Sequence, residues 1–474
     1  MTAVLAIDQG TSGTKAIVLD AQGGICGLAE HPLQPSYLAD GGVEQDPVKL
    51  LESVLAAGRD ALAQAGIPVD IVTLANQGES VIAWDSGSGR PLSPIIVWQD
   101  RRSAALCSRL EAHKDVLAAR TGLVLDPYFS APKMAWLRQE ITTEGVITTT
   151  DSWLIHHLTG AFLTDIATAS RSLLTDLEGS DFSPELLEIF GLQNEPMPKI
   201  LASDAIAGTT KVFGAEIPVG GLIVDQQAAL LAEHCFAPGD AKCTFGTGAF
   251  LLANAGGNAL RSRSGLAASV AWDLRGARAY CFDGQIYTAG SAIRWLRQLG
   301  FIAAASDLDR VAAASSNGVI CVPALAGLAA PWWNPDARAS FSGLSLSSGP
   351  PEMVRALLEG IAAQVAELCS LIALETGTQL TRLKVDGGLT QSSALMQALA
   401  DIAQLEVEVF PSQHATPLGA ATLARLAAIP SLALADAAIP WAPERAFSPG
   451  WSPDQAAAFR AKWNKAAALS SQIV

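Results

Sequence analysis

The stretch Val4-Leu-Ala-Ile-Asp8-Gln-Gly-Thr-Ser-Gly-Thr-Lys15-Ala-Ile-Val-Leu-Asp20 decides the fold. Two apolar runs rich in β-branched residues flank a Gly/Thr turn, which reads as a hairpin. Its centre superficially resembles a P-loop. A P-loop, however, needs GxxxxGK[ST] opening a helix, and here Lys15 leads into a second strand. An aspartate at the end of one strand therefore meets a turn rich in backbone N–H and hydroxyl donors, a combination suited to anions.

The pattern returns further along. Residues 241–252 read as strand, Gly246-Thr-Gly248 turn, strand, and residues 383–388 as a strand entering the Gly387-Gly388 turn. Residues 222–225 form an apolar strand ending on Asp225, and residues 226–235 have helical spacing. Strand-like runs also occur at 71–75 and 94–98, the latter after a hairpin turn at 83–92. Residues 352–376 predict a long amphipathic helix with Met353, Leu357, Ile361, Val365, Leu368 and Ile372 on one stripe. A shorter helix is expected over 392–404, a proline-marked tail over 430–453, and an Ala-rich helix from about 454. Two halves that each open with a Gly/Thr hairpin imply a duplicated α/β unit around a cleft.

The 474 residues suffice for two large domains, and 50% hydrophobic against 16% charged residues provide a large core. The net charge of -15, from 46 acidic and 31 basic residues, argues against nucleic acid or an anionic membrane as partner. Seven scattered cysteines never form CxxC and six histidines form no metal-binding cluster, as expected of reduced thiols in a cytoplasmic protein. Residues 1–8 lack the basic start of a secretory leader, and no uninterrupted apolar run reaches the ~18 residues of a membrane span.

An ordered set of motifs now becomes specific: Asp8-Gln-Gly-Thr11, Ile96-Val-Trp-Gln-Asp-Arg-Arg102, Tyr128-Phe-Ser-Ala-Pro-Lys133 on to Trp136, Asp225-Gln-Gln227, Thr244-Phe-Gly-Thr-Gly-Ala-Phe250, Ala330-Pro-Trp332 and Val385-Asp-Gly-Gly388. Together they resemble the FGGY carbohydrate kinases, and within that family most closely the glycerol kinases. The resemblance implies an α/β fold of two RNase H-like (actin-like ATPase) domains with a nucleotide cleft between them. The expected boundaries are an N-terminal domain at 1–232, a C-terminal domain at 233–430, and a tail and helix at 431–474. It further implies ATP, Mg²⁺ and phosphoryl transfer to a hydroxyl of a small polyol or sugar, and the dimers common among relatives.

Residue by residue, the resemblance places Thr11, Ser12, Gly13 and Lys15 in a first phosphate loop and Asp8 beside a metal held through water. Thr247 falls in a second phosphate loop, with Gly290 and Arg294 beside the nucleotide and Gly388 and Ser392 at the adenosine. Asp225 matches the catalytic base and a metal neighbour, and Gln226 a ligand of a substrate hydroxyl. Glu79, Trp98, Tyr128 and Phe250 match the polyol pocket, and Gly78 borders it. An aspartate of ordinary pKa, about 3.9, is ionised at pH 7 and can accept the hydroxyl proton.

Three positions depart from the glycerol kinases. They have Asn-Gln-Arg-Glu where this chain has Asn76-Gln77-Gly78-Glu79, glutamine at Arg294 and asparagine at Ser392. The missing arginine donates to the polyol there, and losing such a bond costs about 1.5–3 kcal/mol, or ~10–150-fold in affinity, unless replaced. Gly78 is also expected to leave volume beside the substrate. The expectation is an acceptor of four or five carbons, with glycerol itself as the second reading. An actin-like ATPase without sugar kinase activity is the reading from another class.

Overall fold

The computed structural model describes residues 2–470. Its first seven-stranded sheet runs, in spatial order, Ile206–Thr210, Ile217–Gly220, Ile71–Asn76, Val4–Gly10, Gly13–Leu19 and Ile25–Pro32, with Ile223–Val224 also paired to Ile71–Asn76. The opening stretch is the expected hairpin: Gly10 faces Gly13, Asp8 faces Lys15, and Val4–Gly10 runs parallel to Ile71–Asn76. Residues 71–76 are buried throughout, because helices cover both faces of this parallel part of the sheet. One cover is the Pro47–Ala65 helix, capped by the Asp46 side chain accepting from Val48 and Lys49 N–H. The other is formed by the helices Asp225–Ala232 and Ala415–Ala428. These two touch so closely that a Cβ on Gly419 would lie 1.7 Å from the Ala228 carbonyl oxygen.

The second seven-stranded sheet repeats the pattern. Ala241–Phe245 pairs antiparallel with Ala249–Gly256 and parallel with Arg382–Asp386, and Ala277–Ile286 and Ala267–Leu274 extend the antiparallel side. The duplicated unit read from the sequence is thus present in both halves. The Pro350–Thr376 helix, the one described helix long and apolar enough to cross a membrane, lies inside the second core. It is buried all round from Val354 to Ala366 rather than along one stripe, and Met353 at its start is only half-buried.

The segment expected as a tail is built into the second half. Arg445–Phe447 adds a strand beside Glu406–Val409, and the Pro453–Ser470 helix buries Trp463, whose indole N–H donates to the Cys321 carbonyl at 2.9 Å. A small sheet of Ser36–Tyr37, Val43–Gln45, Ile95–Ile96, Val81–Trp84 and Val146–Thr149 sits beside the first. Its Ile95–Ile96 strand is shorter than the 94–98 run suggests, which leaves Trp98 in a turn just beyond the strand end. All seven cysteines are free, and six are buried.

Candidate active site

Strand ends and turns from both halves converge on a cavity of about 180 Å³. The first hairpin contributes Thr11 and Ser12, the second Thr244, Gly246, Thr247, Gly248 and Phe250, and the Ile223–Val224 strand end delivers Asp225 and Gln226. Gly78, Glu79, Trp98 and Tyr128 complete the wall, joined by Tyr37, Gln99, Val224 and Arg171. A neighbouring cavity of about 330 Å³ shares Trp98, Gln99 and Tyr128 and reaches Arg101, Tyr287 and Arg338.

The aromatic wall is held by edge contacts. Trp98 meets Tyr128 at 5.7 Å and Phe250 at 5.6 Å between ring centroids, both near perpendicular, and its indole N–H donates to Thr11 Oγ1 at 2.9 Å. Trp98 therefore ties the first Gly/Thr turn to this wall. Opposite it, Asp225 opens the Asp225–Ala232 helix as its first residue, where helix N–H groups favour a negative charge. The Gln226 N–H donates to Asp225 Oδ1 at 2.7 Å. Buried Lys242 donates to Gln226 Oε1 at 2.6 Å and to Thr244 Oγ1 at 2.7 Å, fixing the Gln226 amide, whose side-chain hydrogen bond to Asp225 favours the ionised carboxylate.

Loss of water dominates the electrostatics. Burial, and then the neighbouring Asp225, raise the Asp8 carboxyl to about 7. Burial raises Asp225 to about 6, with Lys242 the first group opposing the rise. The ordinary value expected for Asp225 is thus too low: its surroundings make it a stronger base that is still mainly ionised at pH 7. Burial also raises Glu79 to about 7, against the pull of Arg171.

Arg171 was not foreseen. It is buried, its Nε–H donates to Glu79 Oε1, and its Nη1 lies 2.6 Å from Asp283 Oδ2. The one available signal was a lone charge within the otherwise uncharged run 166–175, since a buried arginine requires partners. Lys242, inward on a strand between Ala241 and Cys243, was missed for the same reason.

The remaining candidates surround this centre. Lys15 sits opposite Asp8 across the hairpin, and a Cβ on Gly13 would meet the His31 carbonyl oxygen at 2.6 Å. Gly290 begins the Gly290–Gln298 helix, and its N–H donates to the Gly246 carbonyl at 3.0 Å. A Cβ there would lie 2.5 Å from that oxygen, so the second Gly/Thr turn and this helix require glycine at their contact. Gly388 and Ser392 line a separate cavity of about 270 Å³, where Ser392 Oγ donates to Asp309 Oδ1 at 2.6 Å. Arg294 is exposed and lines none of these cavities.

Two family models match, those of the N-terminal domain (residues 3–232) and the C-terminal domain (residues 241–428) of the FGGY family of carbohydrate kinases. A glycerol kinase of Aromatoleum aromaticum is 38% identical over 98% of both chains, and one of Gloeobacter violaceus is 41% identical over 90% of this chain and 88% of its own. Among solved structures, Plasmodium falciparum glycerol kinase with ADP superposes with a TM-score of 0.91 at 31% identity, covering 99% of this chain and 98% of that one. A Brucella ovis xylulose kinase gives a TM-score of 0.86 at 25% identity over 98% of each. Paired Gly/Thr turns around an acidic cleft, and near full-length likeness to enzymes that phosphorylate alcohols, have one common explanation: the chain belongs to the FGGY family of carbohydrate kinases, phosphotransferases that use ATP and an alcohol acceptor.

Proposed function

We propose that this kinase transfers the γ-phosphoryl group of ATP to a hydroxyl of a neutral polyol or sugar of four or five carbons, with Asp225 accepting the hydroxyl proton. The observation that carries this reading is the single cavity in which Asp225 and Glu79 face both Gly/Thr turns and an aromatic wall. Such transfer depends on positioning and charge stabilisation more than on covalent chemistry. Thr11, Ser12 and Thr247 supply donors to phosphate oxygens, and Gln226 and Glu79 bind acceptor hydroxyls. Trp98, Tyr128 and Phe250 pack against the acceptor's carbon skeleton.

Mg²⁺ fits this donor set. Among the described residues no group of three or more His, Cys, Asp or Glu side chains could grip an ion directly. Asp8 and Asp225, each raised by burial and facing one another, suit a hydrated ion held through water. When bound, the ion would neutralise phosphate charge. Gly388 and Ser392 are assigned to the adenosine. Ser392 also caps the Ser393–Ala403 helix through Leu395 N–H, so Ser392→Ala is expected to cost about 1 kcal/mol of stability. It should raise KM for ATP several-fold and leave the acceptor KM unchanged, as read by thermal denaturation and steady-state kinetics.

A neutral acceptor follows from charge. Glu79 and Asp225 face the cavity, and the guanidinium of Arg171 is engaged by Glu79 and Asp283, so a carboxylate on the acceptor would find no free cation there. Gly78 supports an acceptor longer than glycerol, although a Cβ there would lie 3.0 Å from Val224 Cγ2, so Val224 takes part of the volume. The 38–41% identity to enzymes named glycerol kinase supports glycerol as the second reading. Free buried thiols support a reducing, cytoplasmic setting.

An ADP-release screen over glycerol, tetritols, pentitols, ketoses and aldonates tests the proposal. The expected result is the highest kcat/KM for a neutral four- or five-carbon compound and none for aldonates. Glycerol ranking first would overturn the acceptor size. ATP hydrolysis indifferent to every acceptor would overturn the kinase reading in favour of an actin-like ATPase.

A further inference from the structure

We infer that Arg171 is the positioning residue of the acceptor pocket: it aims the Glu79 carboxylate at the acceptor and, through Asp283, ties the two halves together at that end of the cleft. This rests on the phosphotransfer reading above.

Glu79 lines the cavity in a left-handed backbone conformation, φ 55°, which non-glycine residues seldom adopt. Something outside the local chain must hold it there. Arg171 does so from the end of the short Ile166–Ser170 helix. Its Nε–H donates to Glu79 Oε1, its Nη1 is 2.6 Å from Asp283 Oδ2, and its Nη2 lies 3.4 Å from Tyr128 Oη. Glu79, Arg171 and Asp283 are each at most 3% exposed. Glu79 and Arg171 belong to the segment matched by the N-terminal family model and Asp283 to the C-terminal one, so a single guanidinium bridges the lobes.

Its position is notable. A Cβ on Gly78 would lie 3.9 Å from Arg171 Nε, so this guanidinium stands beside the site where the glycerol kinases carry theirs. It acts on the acceptor through Glu79, because two carboxylates already engage it. The groups facing Glu79 are Arg171, Asp283, Lys133 and Tyr128. Lys133 is committed elsewhere, donating to the carbonyls of Pro127, Tyr128 and Phe129. Arg171 is therefore the cation that opposes the upward pull of burial on the Glu79 carboxyl, which would move higher still without it.

The test compares Arg171→Met, Arg171→Lys and Asp283→Asn with the full-length wild type, using ATP and the best acceptor of the screen. For Arg171→Met the acceptor KM should rise ~10–150-fold while the ATP KM stays within about twofold, and the acid limb of kcat/KM for the acceptor should move to higher pH. Arg171→Lys, which keeps the charge without the fork, should fall between. Asp283→Asn, which keeps the volume, should raise the acceptor KM less and increase ATP hydrolysis relative to transfer. A folded Arg171→Met with wild-type acceptor KM and pH profile would overturn the inference. If Arg171→Met does not fold, a wild-type acceptor KM in Asp283→Asn would do so. A wild type without acceptor-dependent ADP release would instead overturn the kinase reading, and this inference with it.

Discussion

Asp225→Asn is expected to lower kcat by about 10²–10⁴-fold, the usual contribution of a positioned general base, equivalent to ~3–5 kcal/mol of barrier. The amide has the shape of the carboxylate and can still accept the Gln226 N–H bond at the helix start. It cannot take the hydroxyl proton. The helix and the cavity should therefore persist, and calorimetric titration should find ATP affinity within a few-fold of wild type. Asp225→Ala should lose turnover by the same order. Activity within tenfold of wild type in both variants would remove Asp225 as the base.

Gly419→Ala should be the most damaging of the single-methyl changes. The added Cβ would lie 1.7 Å from the Ala228 carbonyl oxygen and 2.5 Å from its carbon, both backbone atoms that no rotamer change can move aside. The Ala415–Ala428 helix must then lift from the Asp225–Ala232 helix, at a cost of about 1–3 kcal/mol or more for overpacking. That shift also reaches the site, because Asp225 is the first residue of the displaced neighbour. A lowered Tm together with a lowered kcat is the expected pair of readouts. A wild-type Tm would contradict the contact.

Much of this architecture was legible because it is local. The hairpins at Val4–Gly10 and Gly13–Leu19 and the helix at Pro350–Thr376 announce themselves by turn chemistry and periodicity. The pocket residues Trp98, Tyr128 and Phe250 carry no such signal, and only their place in an ordered motif set brought them together, while Glu79 followed from the likeness of Asn76-Gln77-Gly78-Glu79 to the glycerol kinases. Arg171 lay outside that set. Its partner Glu79 is 92 residues upstream and Asp283 is in the other half, and such pairing belongs to the tertiary fold alone. The Asp225 carboxyl likewise takes its raised value from water excluded by distant segments. The segment 431–453 looked like a tail because prolines mask a strand of only three residues, Arg445–Phe447, which forms by pairing with an existing sheet edge.

The Ala415–Ala428 helix, which covers the first sheet from late in the chain, sets the order in which the protein can be made. While the ribosome is still working through the second half, one greasy side of the first sheet has only the short Asp225–Ala232 helix to cover it. At 5–20 residues per second, the stretch from 232 to 428 takes roughly 10–40 s to translate. The nascent first lobe must survive that interval unfinished, which makes it a natural client for chaperones and a poor candidate for expression as an isolated fragment.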